Sequence, residues 1–152
     1  MENFTLIETI GSLSLLSAGS IYDIRTKKVP FKLLAVGTLA GFFFLCHRVW
    51  ANMGHEAVSQ LIGESLGCLA PGLLLMVLSL ITEKKVGMGD ALMLLFIGGM
   101  EGNSIVWTVF CLALFVQSLA AVLLLILKKA NKQTALPFIP FLLVGRLILL
   151  IW

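Results

Sequence analysis

The sequence predicts an all-α, polytopic membrane protein with six transmembrane helices, of which the fourth is short. Of the 152 residues, 59% are hydrophobic and only 12% are charged, which is about half the charged fraction of a typical soluble domain. The mean hydropathy is +1.04, and the apolar residues form long blocks. Because lipid cannot satisfy backbone polar groups, each spanning segment must be helical. The length suits one integral-membrane domain over residues 1–152.

Apolar windows of about 20 residues mark the candidate spans. The first opens with Glu2 and has no Lys or Arg before its apolar run, which argues against a removable signal peptide. Spans 2 and 3 follow as apolar blocks on either side of a short polar loop. The fourth ends in the glycine-rich stretch IGGMEGNS, so we expect it to be shorter than a regular crossing. The fifth and sixth are again long, and the six windows cover residues 4–22, 31–50, 58–81, 89–101, 104–127 and 136–152.

Basic residues lie almost entirely on one side of this arrangement. Nine of the eleven Lys and Arg residues fall in or beside the loops that follow spans 1, 3 and 5. The positive-inside rule therefore makes these loops cytoplasmic and puts both termini outside. The nine residues are Arg25, Lys27, Lys28, Lys32, Lys84, Lys85, Lys128, Lys129 and Lys132.

The chain contains only two aspartates, Asp23 and Asp90, and this topology brings them to one depth. Asp23 follows span 1 and Asp90 opens span 4, so both lie near the cytoplasmic surface. Two carboxylates that approach each other cannot both ionise cheaply, and the pair comes to share a proton. Such a pair can hydrolyse an amide, with one member acting as base and the other as acid. Gly87 and Gly89, in the sequence GMGD, leave room for a substrate backbone to lie close by.

Each aspartate also has a purely structural interpretation. Asp90 suits the N-terminus of a helix as a capping residue, and Asp23 could pair with Arg25 or Lys27 at the membrane surface. A role in an ion pathway is a further alternative. Spacing and topology alone leave these interpretations open beside the catalytic pair.

Three motifs, taken in order, resemble the type IV prepilin peptidase family, a group of GxGD intramembrane aspartyl proteases. They are DIRTKKVP at residues 23–30, GMGD at 87–90 and LPFIPFLLVG at 136–145. In that family an aspartate is followed by basic or polar residues and a proline, then by GxGD, and finally by a Pro-Phe-x-Pro-Phe segment. The resemblance covers nearly the whole chain, including the six spans and their orientation.

The resemblance implies an aspartic endopeptidase that removes the leader peptide from type IV prepilin or pseudopilin substrates. Cleavage would occur at the cytoplasmic face of a prokaryotic cytoplasmic membrane, with Asp23 and Asp90 as the catalytic pair. Membrane lipid is the expected surrounding, and no cofactor, metal ion or nucleic acid is expected. The residues that match supporting positions of the motifs are Gly87, Gly89, Pro30, Pro137 and Pro140.

The chain also departs from the family pattern. Leu92 stands where many relatives have lysine, and Phe31 stands where relatives often have asparagine. The three cysteines are isolated, with no CxxC pair, so the paired-cysteine cytoplasmic domain of larger members is not expected. The chain therefore resembles the small, peptidase-only branch without methyltransferase activity. The alternatives are a small proton- or cation-coupled transporter and a catalytically inactive scaffold of a pilus or secretion system.

Three further charged residues, Glu8, Glu64 and Arg146, fall inside predicted spans. Because charged groups in lipid seek partners, we expect a structural ion pair among them, away from the two aspartates.

Overall fold

Six α-helices make up the fold in the computed structural model, which describes residues 2–26, 29–54, 57–82, 87–127 and 137–151. The all-α fold class is therefore confirmed. The fourth helix is short, as predicted, and begins one residue before the predicted span. In chain order the helices are α1 (Glu2–Thr26), α2 (Phe31–Asn52), α3 (Val58–Ile81), α4 (Met88–Glu101), α5 (Asn103–Ile126) and α6 (Ile139–Ile151).

Proline and glycine define two of the helix boundaries. Pro30 is the N-cap of α2, and its carbonyl accepts the N–H groups of Leu33 and Leu34 at 3.0 and 3.3 Å. The fixed φ of proline suits this position, where no N–H is needed. Gly102 ends α4 and leads directly into α5, with a φ of +96°. Side chains rarely adopt that conformation, so glycine allows the sharp reversal between the two helices.

Three helices, α2, α3 and α5, are long and apolar enough to cross a membrane, and α6 is a shorter apolar helix. Their outward faces carry large exposed hydrophobic side chains such as Leu39, Phe43, Ile62 and Phe115. Such faces suit lipid contact, since lipid does not penalise apolar exposure. The chain therefore has the features of a membrane protein. The six-span topology and its orientation stay predictions.

The short helix α4 lies at the centre of the bundle. Helices α1, α2, α3 and α5 all contact it, and α6 closes the ring by packing on α1 and α5. Nearly the whole of α4 beyond its first turn is buried, which makes it the core of the protein.

Two adjacent glycines of α4, Gly98 and Gly99, allow the backbones of neighbouring helices to contact its backbone directly. A Cβ added to Gly98 would collide with the carbonyl oxygen of Cys68 in α3, and one added to Gly99 would collide with the backbone of Gly41 in α2. Gly41 in turn packs on the carbonyl of Phe96, 2.8 Å from the position of an added Cβ. Small residues at helix crossings favour such close packing in membranes. The position of α4 is thus fixed from two sides.

Candidate active site

Asp23 lies in the last turn of α1 and is buried, with 8% of its surface exposed. Its Oδ2 accepts a hydrogen bond of 3.3 Å from the backbone N–H of Ile139. Ile139 is the first residue of α6, and the N–H groups of a first helical turn have no partner within their own helix. Asp23 thus supplies a carboxylate at the positive end of the α6 dipole.

Two opposing effects act on the acidity of Asp23, which lies just beyond the predicted first span. Burial raises the pKa of its carboxyl above the ordinary value, and the hydrogen bond from Ile139 partly offsets that rise. Burial disfavours the charged form because it removes water, whereas a donated hydrogen bond stabilises the charged form. The N–H of Ile139 is therefore what helps Asp23 to stay ionised in a buried site.

Asp90 lies in the first turn of α4, and Gly87 is the N-cap of that helix. The N–H of Asp90 donates to the carbonyl of Gly87 at 3.0 Å, which closes the first turn. Asp90 is therefore not the N-cap residue that the structural alternative proposed, although its carboxylate still lies at the favourable end of the helix dipole. Its side chain is partly exposed.

The two motif glycines have different surroundings. A Cβ added to Gly87 would lie 2.8 Å from Oδ2 of Asp90, so the carboxylate folds back over the space that a side chain would fill. A Cβ added to Gly89 would meet Leu34 at an ordinary 3.5 Å. The φ of Gly87 is −66°, so it is close approach and not an unusual backbone angle that requires glycine there.

The register of α1 against α4 places the two aspartates opposite each other. The helices run antiparallel, with Gly11 against Met100 and Gly19 against Met93. Near the other end of the interface, the hydroxyl of Ser12 donates a hydrogen bond to the carboxylate of Glu101.

Asp23 lies eleven residues after Ser12, and Asp90 lies eleven residues before Glu101. Eleven residues correspond to about three helical turns, so each aspartate lies on the same face of its helix as its hydrogen-bonded counterpart. Asp23 and Asp90 thus lie at matching positions of the α1–α4 interface.

The three motif prolines lie at the starts of two helices, α2 and α6. Pro30 starts α2, while Pro137 precedes the first turn of α6 and Pro140 lies within it. A proline is compatible with the first turn of a helix because its missing N–H would have no partner there. The structure therefore places the LPFIPF segment, in its described part from Pro137, where it presents the N–H of Ile139 to Asp23.

Residues that depart from the family pattern lie in different environments. Leu92, where many relatives have lysine, packs against the hydrophobic core, while Phe31 is 77% exposed. Lys27, Lys84 and Lys85 lie outside the described residues. A pairing of Asp23 with Lys27 therefore stays untested. No group of three or more His, Cys, Asp and Glu side chains in the described ranges could hold a metal ion.

The prediction of an ion pair among Glu8, Glu64 and Arg146 is wrong, because Arg146 and Glu8 each pair with a residue outside this set. Arg146 pairs with Glu101, whose two carboxylate oxygens both lie 2.8 Å from Nε. Glu8 pairs with Arg48 at 3.5 Å. Sequence reasoning treated Glu101 as part of a glycine-rich helix end and missed it, although it was a carboxylate inside a predicted span like the other two.

The fold is thus a helical bundle with three helices long and apolar enough to cross a membrane, and each of its two aspartates lies at the end of a helix. The type IV leader peptidase family model matches residues 10–127. The chain belongs to this family, which makes it a type IV leader peptidase-like protease. No match was found among curated proteins or solved structures.

Proposed function

We propose that the protein is an aspartic endopeptidase of the membrane that removes the leader peptide from type IV prepilin-like substrates at the cytoplasmic face. The observation that carries the proposal is the antiparallel register of α1 and α4, which sets Asp23 opposite Asp90. Family membership supports the peptidase activity. The basic loops predicted on the same side support a cytoplasmic position for the site.

In the proposed mechanism, Asp23 is the general base and Asp90 is the general acid. Asp23 receives the N–H of Ile139 at the start of α6, which favours its ionised form, so in a pair that shares one proton the proposed position of that proton is Asp90. Asp23 takes a proton from a water molecule as the water oxygen attacks the scissile carbonyl carbon. Asp90 gives its proton to the carbonyl oxygen, and the tetrahedral intermediate then collapses as a proton passes to the leaving nitrogen.

The substrate is inferred to be a peptide with a short basic leader followed by a hydrophobic helix. The helix would pack against the outer faces of the bundle, and the leader would stay on the cytoplasmic side. Because a helical peptide bond is shielded by its own hydrogen bonds, the helix must unwind at the cut to reach both carboxylates.

The two alternative functions, a transporter and an inactive scaffold, predict properties of the aspartates that differ from those of a catalytic pair. A transporter usually binds its cargo near the bilayer midplane, whereas Asp23 and Asp90 both lie at helix ends. A scaffold would tolerate neutral replacements of both residues.

Cleavage of a co-expressed prepilin by Asp23→Asn and Asp90→Asn, made separately, tests the proposal. We expect each variant to fold and insert normally and to lose processing. The control is Glu64→Gln, which neutralises a carboxylate of α3 that is not part of the pair. Full processing by either aspartate variant would overturn the assignment, since a coupled pair needs both members.

A further inference from the structure

A buried polar cluster joins three helices at the end of the bundle away from the aspartates. Arg146 of α6 and Glu101 of α4 form a buried ion pair. Ser12 of α1, which is fully buried, donates to the same carboxylate. The Nη2 of Arg146 also lies 3.4 Å from the hydroxyl of Thr9 in α1. The Ser12–Glu101–Arg146 cluster therefore ties α1, α4 and α6 together.

Stability alone is a weak reason for such a cluster. Burying an ion pair removes both charges from water, and well-packed apolar residues often serve at least as well. A buried polar group does, however, specify one arrangement, because each donor must find its acceptor. The cluster is thus better suited to fixing a geometry than to supplying stability.

The same three helices supply the candidate active site at their other ends. Asp23 belongs to α1, Asp90 to α4 and the N–H of Ile139 to α6. The three-turn spacing from Ser12 to Asp23 is matched by the spacing from Glu101 back to Asp90. A slip of one residue between α1 and α4 would shift the helices by about 1.5 Å and turn one of them by about 100°. That displacement is enough to separate the carboxylates.

Apolar packing between α1 and α4 specifies this register only loosely. At this interface Gly11 and Gly19 of α1 face the flexible ends of Met100 and Met93. Methionine adapts readily to small displacements because its side chain is unbranched and has three rotatable bonds. The directional contact that resists sliding is the hydrogen bond from Ser12 to Glu101.

We propose that the Ser12–Glu101–Arg146 cluster positions the catalytic pair by fixing the register of α1 and α6 on α4. Ser12 and Glu101 are positioning residues, since they act through Asp23 and Asp90 and do not touch the substrate. This inference rests on the proposed function for its effect on cleavage, but the register itself can be measured without any cleavage.

The test measures register and cleavage separately in Ser12→Ala. This variant removes one hydroxyl and leaves the Glu101–Arg146 ion pair in place, so the protein should still fold. Its matched control is Ser14→Ala, because Ser14 lies on the exposed side of α1 and its hydroxyl donates to the carbonyl of Gly11 in the same helix. For the register, Asp23→Cys and Asp90→Cys are combined with replacement of Cys46, Cys68 and Cys111, and oxidative crosslinking in membranes is followed over time.

We expect Ser12→Ala to slow crosslinking of positions 23 and 90 and to lower kcat for prepilin cleavage by about tenfold with KM unchanged. Ser14→Ala should match the wild type in both assays. Glu101→Gln, whose amide oxygen can still accept from Ser12, should crosslink faster than Glu101→Ala. Wild-type crosslinking and cleavage in Ser12→Ala would overturn the positioning role. Loss of cleavage in every protein, the wild type included, with Ser12-dependent crosslinking retained, would instead overturn the proposed function alone.

Discussion

The backbone N–H of Ile139 donates a hydrogen bond of 3.3 Å to Oδ2 of Asp23. This contact joins the end of α1 to the start of α6, 116 residues later in the chain. It gives the third sequence motif a direct connection to the first, because the proline-containing segment presents the N–H that Asp23 accepts.

The pH dependence of cleavage should respond to this hydrogen bond. In the wild type, the hydrogen bond from the N–H of Ile139 partly offsets the rise in the pKa of Asp23 that burial causes. Ile139→Pro removes this N–H, and the pKa of Asp23 should therefore increase further. A base with a higher pKa is protonated up to a higher pH, and the acidic limb of kcat/KM should move upward by about one pH unit. The measurement is a pH–rate profile with a peptide substrate.

The control for that profile is Ile139→Ala, which removes packing of a fully buried side chain but keeps the N–H. Its activity can fall, yet its acidic limb should stay at the wild-type pH. Equal movement of the limb in both variants would mean that packing, and not the hydrogen bond, governs the titration.

The two motif glycines should differ in their kinetic effects. Gly87→Ala places a methyl group against the carboxylate of Asp90 and should lower kcat by about tenfold or more, as expected when a reacting group is displaced. In Gly89→Ala the added methyl group has ordinary space beside Leu34. Any loss of activity should therefore be a higher KM, because the methyl group hinders the approach of the substrate backbone. Steady-state kinetics on purified protein separates the two, and a lower kcat with Gly89→Ala alone would contradict the assignment.

Close packing around α4 should make its glycines sensitive to substitution. Gly98→Ala puts a Cβ into the carbonyl of Cys68 and should cost roughly 1–3 kcal/mol through overpacking. Gly63→Ala is the matched control in α3, since an added Cβ there meets no described atom within 4 Å. It should raise stability by about 0.5–1 kcal/mol, because alanine favours a helix interior. Unfolding in mixed detergent micelles gives both values.

The two ion pairs should contribute unequally to stability. Glu101→Ala leaves Arg146 buried without its carboxylate and should cost about 3–5 kcal/mol. Glu8→Ala breaks a 3.5 Å pair whose side chains remain 17% and 26% exposed, and should cost about 0–1 kcal/mol. The same micelle unfolding assay applies, and similar losses in the two variants would argue against the difference in burial as the cause.

The predicted orientation can be tested by cysteine labelling in intact cells. Lys27→Cys and Lys85→Cys lie in basic loops and should react only with reagents that reach the cytoplasm. Asn52→Cys, at the end of α2, should react with an impermeant reagent from outside. The background protein lacks its three natural cysteines, and the reverse labelling pattern would invert the topology.

Helix positions were the most predictable part of the fold. The short apolar window at 89–101 matches α4 within one residue, because long apolar runs directly indicate the helices. The end of α4 at Gly102 was also signalled, by the glycine-rich stretch around it. Counting spans also predicts a shared depth for Asp23 and Asp90, without knowledge of which helices touch.

Lateral contacts were less predictable, since hydropathy does not indicate which helices are neighbours. It gave no sign that Ser12 meets Glu101 or that Ile139 meets Asp23, because these pairs are 89 and 116 residues apart. For the same reason Arg146 was assigned the wrong carboxylate. Charged residues within a span predicted that partners exist, but only the packing of the helices against one another identifies those partners.

Because α4 is enclosed by the other helices, its residues should tolerate fewer substitutions than residues on the outside of the bundle. The helix that carries Asp90 touches backbone on two sides and a charged cluster at its end, so few substitutions fit there. Outward faces of α2, α3 and α5 contact no other described helix and can change with the membrane or with the substrate's hydrophobic segment. Under the proposed function, substrate preference can therefore change on the periphery of the bundle while the surroundings of Asp90 stay the same.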